Sequence, residues 1–95
     1  QVPFHPVTGE VVGNGMKEQA VQTLANMKAV LEAAGLAVTD IAKTTVFVTN
    51  MDDFAAFNEV YAAFMGEHRP ARVCVEVSHI AHGCLLELDA ICFKE

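Results

Sequence analysis

The chain has 95 residues, which is enough for one domain and too few for two. Hydrophobic residues make up 53% and charged residues 19%, which excludes a disordered chain and exceeds what so small a core can bury. Six basic and 12 acidic residues give a net charge of −6, which disfavours nucleic acids and anionic membranes as partners.

The first predicted element is an amphipathic helix over residues 16–34. Its apolar residues recur every three or four positions on one face, at Ala20, Leu24, Met27, Leu31 and Ala34. Gln19, Gln22 and Lys28 fall outside that face. Gly35 is expected to end the helix, and Asn14, within a flexible joint over residues 13–15, is a candidate for its N-terminal cap.

A strand over residues 41–49 and a second helix follow. Residues 44–49 are all β-branched or aromatic, which is typical of strands. Asn50 and Asp52 are candidate caps for the helix, and Gly66 is a natural end for it. Between them runs an apolar stripe with helical spacing, formed by Phe54, Phe57, Tyr61 and Phe64.

Two further strands are predicted over residues 71–77 and 85–93. Arg72, Cys74 and Glu76 alternate with valines in the first, and Glu87 and Asp89 alternate with apolar residues in the second. Two helices can cover only one face of the resulting sheet, and we expect these five side chains on the other face. Such a mixed face favours burial against another subunit, with a polar cleft at the contact.

Arg72 and Glu87 form the most informative pair for function. If their strands are neighbours, both side chains reach one cleft. There a guanidinium can grip a carboxylate through two hydrogen bonds, and a carboxylate can orient or deprotonate a water. Such a pair suits a small anionic substrate that is attacked by water. The alternative is a cross-strand ion pair that only neutralises its own charges.

Other reactive residues give weaker signals. Cys74 shares the face of Arg72 and would be a nucleophile if its pKa were lowered, but a single cysteine in an apolar strand is more often a core residue. His79, His82 and Cys84 are zinc-ligand types with loose spacing and no evident fourth ligand, so surface histidines are favoured and no metal is predicted. Three cysteines without CxxC spacing predict reduced thiols.

Six segments of the chain, in order, resemble the RidA/YjgF family. They are QVP with PVTGE in the opening turn, QTLANMK with LEAAG in the first helix, IAKTTVFV in the next strand, DF with NEVY in the second helix, PARVCVEV, and LELDAI. Together they span essentially the whole chain. Their order and spacing, rather than any one block, carry the resemblance.

The resemblance implies a chorismate-mutase-like α+β fold: a single mixed sheet with two helices on one face, assembled as a homotrimer with active sites between subunits. It implies cofactor-free hydrolysis of reactive enamines and imines, such as 2-iminobutanoate and 2-iminopropanoate, to 2-oxo acids and ammonia. Arg72 matches the arginine that grips the substrate carboxylate, and Glu87 matches the glutamate that helps to activate water. Cys74 and Asn58 match residues of the substrate pocket.

The chain departs from the family in three places. The family has an N-terminal strand region with an active-site tyrosine ahead of the position of Gln1, and residues 1–95 are interpreted as one RidA-like domain that lacks this region. Either preceding residues are missing from the sequence, which the exposure of an unpaired sheet edge favours, or the protein has lost its opening strands and part of its pocket. The loop before Pro70 is short, and residues 79–84 replace a Leu-Pro turn; both border the cleft and are expected to affect substrate preference. With no evident leader or membrane span, a cytoplasmic location is predicted, and a mitochondrial one stays open.

Two other functions stay open from the sequence. A regulatory module would bind small carboxylates, such as 2-oxo acids, in the same cleft without turnover. Some family members are described as translation inhibitors that cleave RNA, but the charge of −6 and the lack of a basic patch disfavour that activity.

Overall fold

The computed structural model describes residues 1–94. Its helices are α1 (Met16–Ala33) and α2 (Phe54–Met65), and its strands are β1 (Ile41–Val48), β2 (Ala71–Glu76) and β3 (Leu86–Cys92). The predicted order of elements is confirmed, and the predicted bounds of α1 and the strands differ from the observed ones by one residue at most. Within residues 1–94, no helix has the length and apolar character needed to cross a bilayer.

The central strand of the sheet is β1. It pairs in parallel with β2 and antiparallel with β3, which gives the strand order β2-β1-β3. The parallel pair arises because α2 carries the chain back along the sheet before β2 begins. The assumption that β2 and β3 are neighbours is therefore wrong, since β1 separates them.

The hydrophobic core lies between one face of the sheet and the two helices. Val46 and Leu88 from the strands meet Leu24 of α1 and Phe57 of α2 there, and each is at most 1% exposed. Burial of one such side chain contributes about 1.5–3 kcal/mol. The helical stripe of α1 is buried as predicted up to its last turn, while Ala34 lies beyond the helix and is exposed.

The cross-strand register places the polar residues of β2 on the helix-covered side. Thr44 pairs with Arg72, and Val46 pairs with Cys74. Because Thr44 and Val46 are fully buried beneath the helices, Arg72 and Cys74 lie on that side, as does Glu76. The prediction of these three residues on the other face is therefore wrong. Most of β2 is exposed on both sides, so its alternation carries no burial signal.

Glu87 and Asp89 lie on the opposite, exposed face of the sheet, as predicted. That face also exposes apolar side chains. Val73, Val75 and Ile91 expose 44%, 38% and 62% of their surface. An apolar sheet face of this kind is typical of a surface that another protein chain covers.

The ends of α1 show one correct cap prediction and one wrong one. Gly35 follows the helix with a φ of +76°, and the N–H of Leu36 donates to the carbonyl of Leu31 at 2.8 Å, which closes the last turn. At the other end, Gly15 is the N-terminal cap and no side chain caps the helix, so the prediction for Asn14 is wrong.

Gln19, predicted to lie outside the apolar face of α1, is only 4% exposed and joins two loops. Its Nε2 donates to the carbonyl of Gly13 at 3.1 Å, and its Oε1 accepts the N–H of Leu85 at 2.8 Å. Leu85 directly precedes β3. The Gln19 side chain therefore helps to fix where β3 begins.

The change Gln19→Leu is expected to lower the free energy of unfolding by about 1–3 kcal/mol, because it leaves two partly buried backbone groups without partners. Chemical denaturation measures the loss. Gln22→Leu is the matched control: it removes one hydrogen bond, from Gln22 to Asn26 within α1, and is expected to cost less than about 0.5 kcal/mol. Equal losses in the two variants would contradict the bridging role of Gln19.

Candidate active site

A cleft of about 470 Å³ opens between the end of α2 and the start of β2. Gly66 ends α2 with a φ of +62°, and the short turn over residues 66–70 keeps the helix close to the strand. The lining of the cleft includes Asn58, Tyr61, Met65, Arg69, Pro70 and Arg72.

Arg72 reaches the cleft from the edge strand and is held there by one side of α2. Its Nη1 donates to Oδ1 of Asn58 at 2.6 Å. Its guanidinium carbon lies 4.9 Å from the ring centroid of Tyr61 and 5.1 Å from that of Phe54. Phe54, Asn58 and Tyr61 share one helix face, and we call this trio the arginine seat. Each exposed cation–π contact contributes about 0.5–1 kcal/mol.

The core in turn holds the Tyr61 ring of the seat. The hydroxyls of Tyr61 and Thr44 share a hydrogen bond of 2.9 Å, and both side chains are buried. The Tyr61 ring also packs against Phe57, with centroids 5.4 Å apart. Arg72 is thus ordered yet exposed. Among residues 1–94, Asn58 is the only acceptor of a hydrogen bond from the Arg72 side chain. The other N–H groups of the guanidinium can therefore bind a ligand.

The roles of Phe54 and Tyr61 in the arginine seat were not predicted from the sequence, because an apolar stripe at helical spacing is normally interpreted as part of the core. Phe57 and Tyr61 are buried as that interpretation requires, whereas Phe54 and Phe64 are half-buried. The family resemblance had already assigned Asn58, a polar residue on the helix face that carries Phe54 and Tyr61, to the substrate pocket. The structure places Asn58 directly against Arg72.

Cys74 lies beside Arg72 on the same side of β2, half-buried against the hydrophobic core. Burial raises the pKa of the Cys74 thiol, and the positive charge of Arg72 opposes that rise only in part. The thiol is therefore protonated at neutral pH and is a poor nucleophile. This environment disfavours covalent chemistry at Cys74, which is not among the described residues that line the cleft.

Glu87 is remote from Arg72 within the folded chain. Arg72 lies on the helix-covered side of β2, Glu87 lies on the exposed face of β3, and β1 runs between them. One chain therefore does not bring the two residues into one cleft. The same separation excludes the alternative of a cross-strand ion pair; the described salt bridge joins Lys17 and Glu59 at 3.0 Å.

His79, His82 and Cys84 do not converge on a shared point. The ring of His82 packs edge-on against Phe4, with centroids 5.4 Å apart. Cys84 is 1% exposed, and burial together with the charge of Glu87 raises the pKa of its thiol. Across residues 1–94, no three His, Cys, Asp or Glu side chains are grouped as metal ligands.

Comparison with known proteins decides the family. The model of the family described as Endoribonuclease L-PSP matches residues 1–94. The chain belongs to the RidA/YjgF family. This membership confirms the resemblance that the six sequence segments carry.

Relatives within the RidA/YjgF family cover nearly the whole chain. A RutC family protein of Pyrococcus horikoshii is 50% identical, and the match covers 100% of this chain and 75% of that protein. The 2-iminobutanoate/2-iminopropanoate deaminase of Escherichia coli K12 is 48% identical, and the match covers 99% of this chain and 75% of the deaminase. The crystal structure of E. coli TdcF with bound serine superposes with a TM-score of 0.93 at 44% identity. The superposition covers 100% of this chain and 76% of the TdcF chain. These matches confirm the mixed α+β fold.

Proposed function

We propose that the protein hydrolyses 2-imino acids, such as 2-iminobutanoate and 2-iminopropanoate, to 2-oxo acids and ammonia. The observation that carries the proposal is Arg72, an exposed cation held in order by the arginine seat at a cleft. The 48% identity to an E. coli protein named as this deaminase supports the reaction type. The serine bound to TdcF supports a ligand of amino-acid size.

Substrate binding begins at Arg72. Its planar fork can donate two parallel N–H···O bonds to the carboxylate, which fixes the position of the adjacent imine carbon. Asn58 and Tyr61 hold the guanidinium in place before the substrate arrives, so little side-chain entropy is lost on binding. Cys74, next to Arg72 on β2, completes the proposed substrate pocket.

Hydrolysis then requires a water and a place for its proton. The imine carbon is already electrophilic, so the proposed reaction uses no cofactor. The Glu87 carboxylate accepts a proton from water as the water oxygen bonds to the imine carbon, and it then returns that proton to the nitrogen, which gives a neutral carbinolamine. The hydroxyl proton of the carbinolamine moves to its amino group as the C–N bond breaks, so ammonia leaves and the 2-oxo acid remains.

The proposed site needs two subunits, because Arg72 and Glu87 lie on opposite sides of one sheet. The exposed face that carries Glu87 also exposes Val73, Val75 and Ile91, and apolar surface of this kind favours association. We therefore assign this face to the contacts of a homotrimer. Each contact would combine Arg72 of one protomer with Glu87 of another.

A coupled assay tests the proposed function. Threonine dehydratase generates 2-iminobutanoate in situ, and lactate dehydrogenase with NADH reports the 2-oxobutanoate that forms. The purified protein is expected to shorten the lag before 2-oxobutanoate appears, in proportion to its concentration. Saturable 2-oxobutanoate binding by calorimetry without this acceleration would favour a regulatory module. Cleavage of RNA that depends on Arg72, again without acceleration, would favour the translation inhibitor.

A further inference from the structure

We propose that the cleft selects 2-imino acids that carry a second acidic group, because Arg69 supplies a second cation beside Arg72. The inference rests on the proposed imine hydrolysis and adds the class of its preferred substrate. Both guanidinium-bearing side chains line the same cleft. Arg72 would bind the carboxylate next to the imine carbon, and Arg69 would bind the acid of the substrate side chain.

Positive charge is concentrated at this cleft in an otherwise acidic chain. The sequence has six Lys and Arg residues against 12 Asp and Glu, and both of its arginines line the one cleft. Among the described residues that line it, none is an aspartate or a glutamate. Two like charges around a confined space repel each other, and a dianion neutralises both of them.

Arg69 is anchored at the rim by the end of α2. Its Nη1 donates to the carbonyl of Gly66 and to that of His68, the latter at 3.0 Å. The carbonyl end of a helix carries partial negative charge, which favours a cation there. Within residues 1–94 these bonds occupy one nitrogen of the guanidinium, so the remaining N–H groups can bind a ligand.

The two arginines are close together in the chain. Pro70 and Ala71 separate Arg69 from Arg72, and Pro70 lines the cleft with both of them. A dianion that is bound to Arg72 through one acid therefore has a second cation in the same cleft for its other acid.

The smallest common substrate of this class is 2-iminosuccinate. Water adds to its C=N bond, the C–N bond of the carbinolamine breaks, and the products are oxaloacetate and ammonia. The step transfers no electrons and needs no reactant besides water. The hydrolysis of 2-iminosuccinate follows the same steps as that of 2-iminopropanoate. The two substrates differ in the side-chain acid, which is the group that Arg69 would bind.

The test compares 2-iminosuccinate with 2-iminopropanoate, generated from aspartate and alanine by amino-acid oxidases in the presence of catalase. Malate dehydrogenase and lactate dehydrogenase, each with NADH, report oxaloacetate and pyruvate. The parent protein is expected to show a kcat/KM about tenfold higher for 2-iminosuccinate than for 2-iminopropanoate. A factor of about ten corresponds to the free energy of one hydrogen bond to a charged group. In Arg69→Gln this preference is expected to disappear, because the KM for 2-iminosuccinate rises more than the KM for 2-iminopropanoate and the ratio of the two kcat/KM values falls to about one.

Lys28→Gln is the matched control, because it removes the same charge from an exposed position of α1. This control variant is expected to leave the ratio of kcat/KM for 2-iminosuccinate to kcat/KM for 2-iminopropanoate unchanged. A parent protein without preference, or equal losses for both imines in Arg69→Gln, would overturn the proposal and leave Arg69 as a helix-end residue only. If the parent accelerated neither imine, the proposed hydrolysis itself would be wrong, which separates the two failures.

Discussion

Replacing Arg72 by alanine is expected to lower kcat/KM for 2-iminobutanoate hydrolysis by about a hundredfold or more. Alanine removes both hydrogen bonds to the substrate carboxylate, and a hydrogen bond to a charged group contributes about 1.5–3 kcal/mol. Each 1.4 kcal/mol corresponds to about a factor of ten, so two such bonds account for the loss. The threonine dehydratase assay measures it directly.

Two companion variants show whether the loss comes from the guanidinium group itself. Arg72→Lys keeps the charge but loses the planar fork and its stacking on the arginine seat, so an intermediate loss of about tenfold is expected. Lys28→Ala removes an exposed charge from α1 and is expected to retain parental activity. Full activity in Arg72→Ala, with the assembly intact by size-exclusion chromatography, would contradict the proposed carboxylate grip.

Helical spacing, the C-terminal end of α1 and the alternation in β3 are local features that were predicted correctly, whereas the local prediction of Asn14 as a cap was wrong. The burial of Leu24 and Met27 follows from helical spacing alone, and the end of α1 follows from the freedom of Gly35 to adopt a positive φ. Neither requires knowledge of distant residues. The alternation in β3 was equally informative, because Leu86 and Leu88 are strongly apolar and can occupy only the covered face.

Features set by pairing between distant segments were not predictable in the same way. The alternation of Arg72 and Val73 shows that the two side chains lie on opposite sides of β2, but only the pairing with Thr44 decides which side is covered. Gln19 was missed for a related reason. A polar side chain is normally expected at the surface, yet this one is buried because Leu85 and Gly13 need hydrogen-bond partners.

The change Glu87→Gln is expected to lower kcat by about a hundredfold with little change in KM, because an amide of the same size cannot accept the proton of the attacking water. Asp89→Asn is the matched control, since it removes a neighbouring carboxylate from the same exposed face. It is expected to retain parental activity. A Glu87→Gln protein as active as Asp89→Asn would contradict the proposed role of Glu87.

Mixing the two inactive variants tests whether one site draws on two subunits. Arg72→Ala chains still carry Glu87, and Glu87→Gln chains still carry Arg72. If each site takes one residue from each of two neighbours, random co-assembly after joint refolding restores about a quarter of the sites. If one chain supplied both residues, every site in the mixture would lack one of them, and activity would stay at the level of the separate variants. Recovery can therefore come only from contacts that join the helix-covered side of one sheet to the exposed face of another.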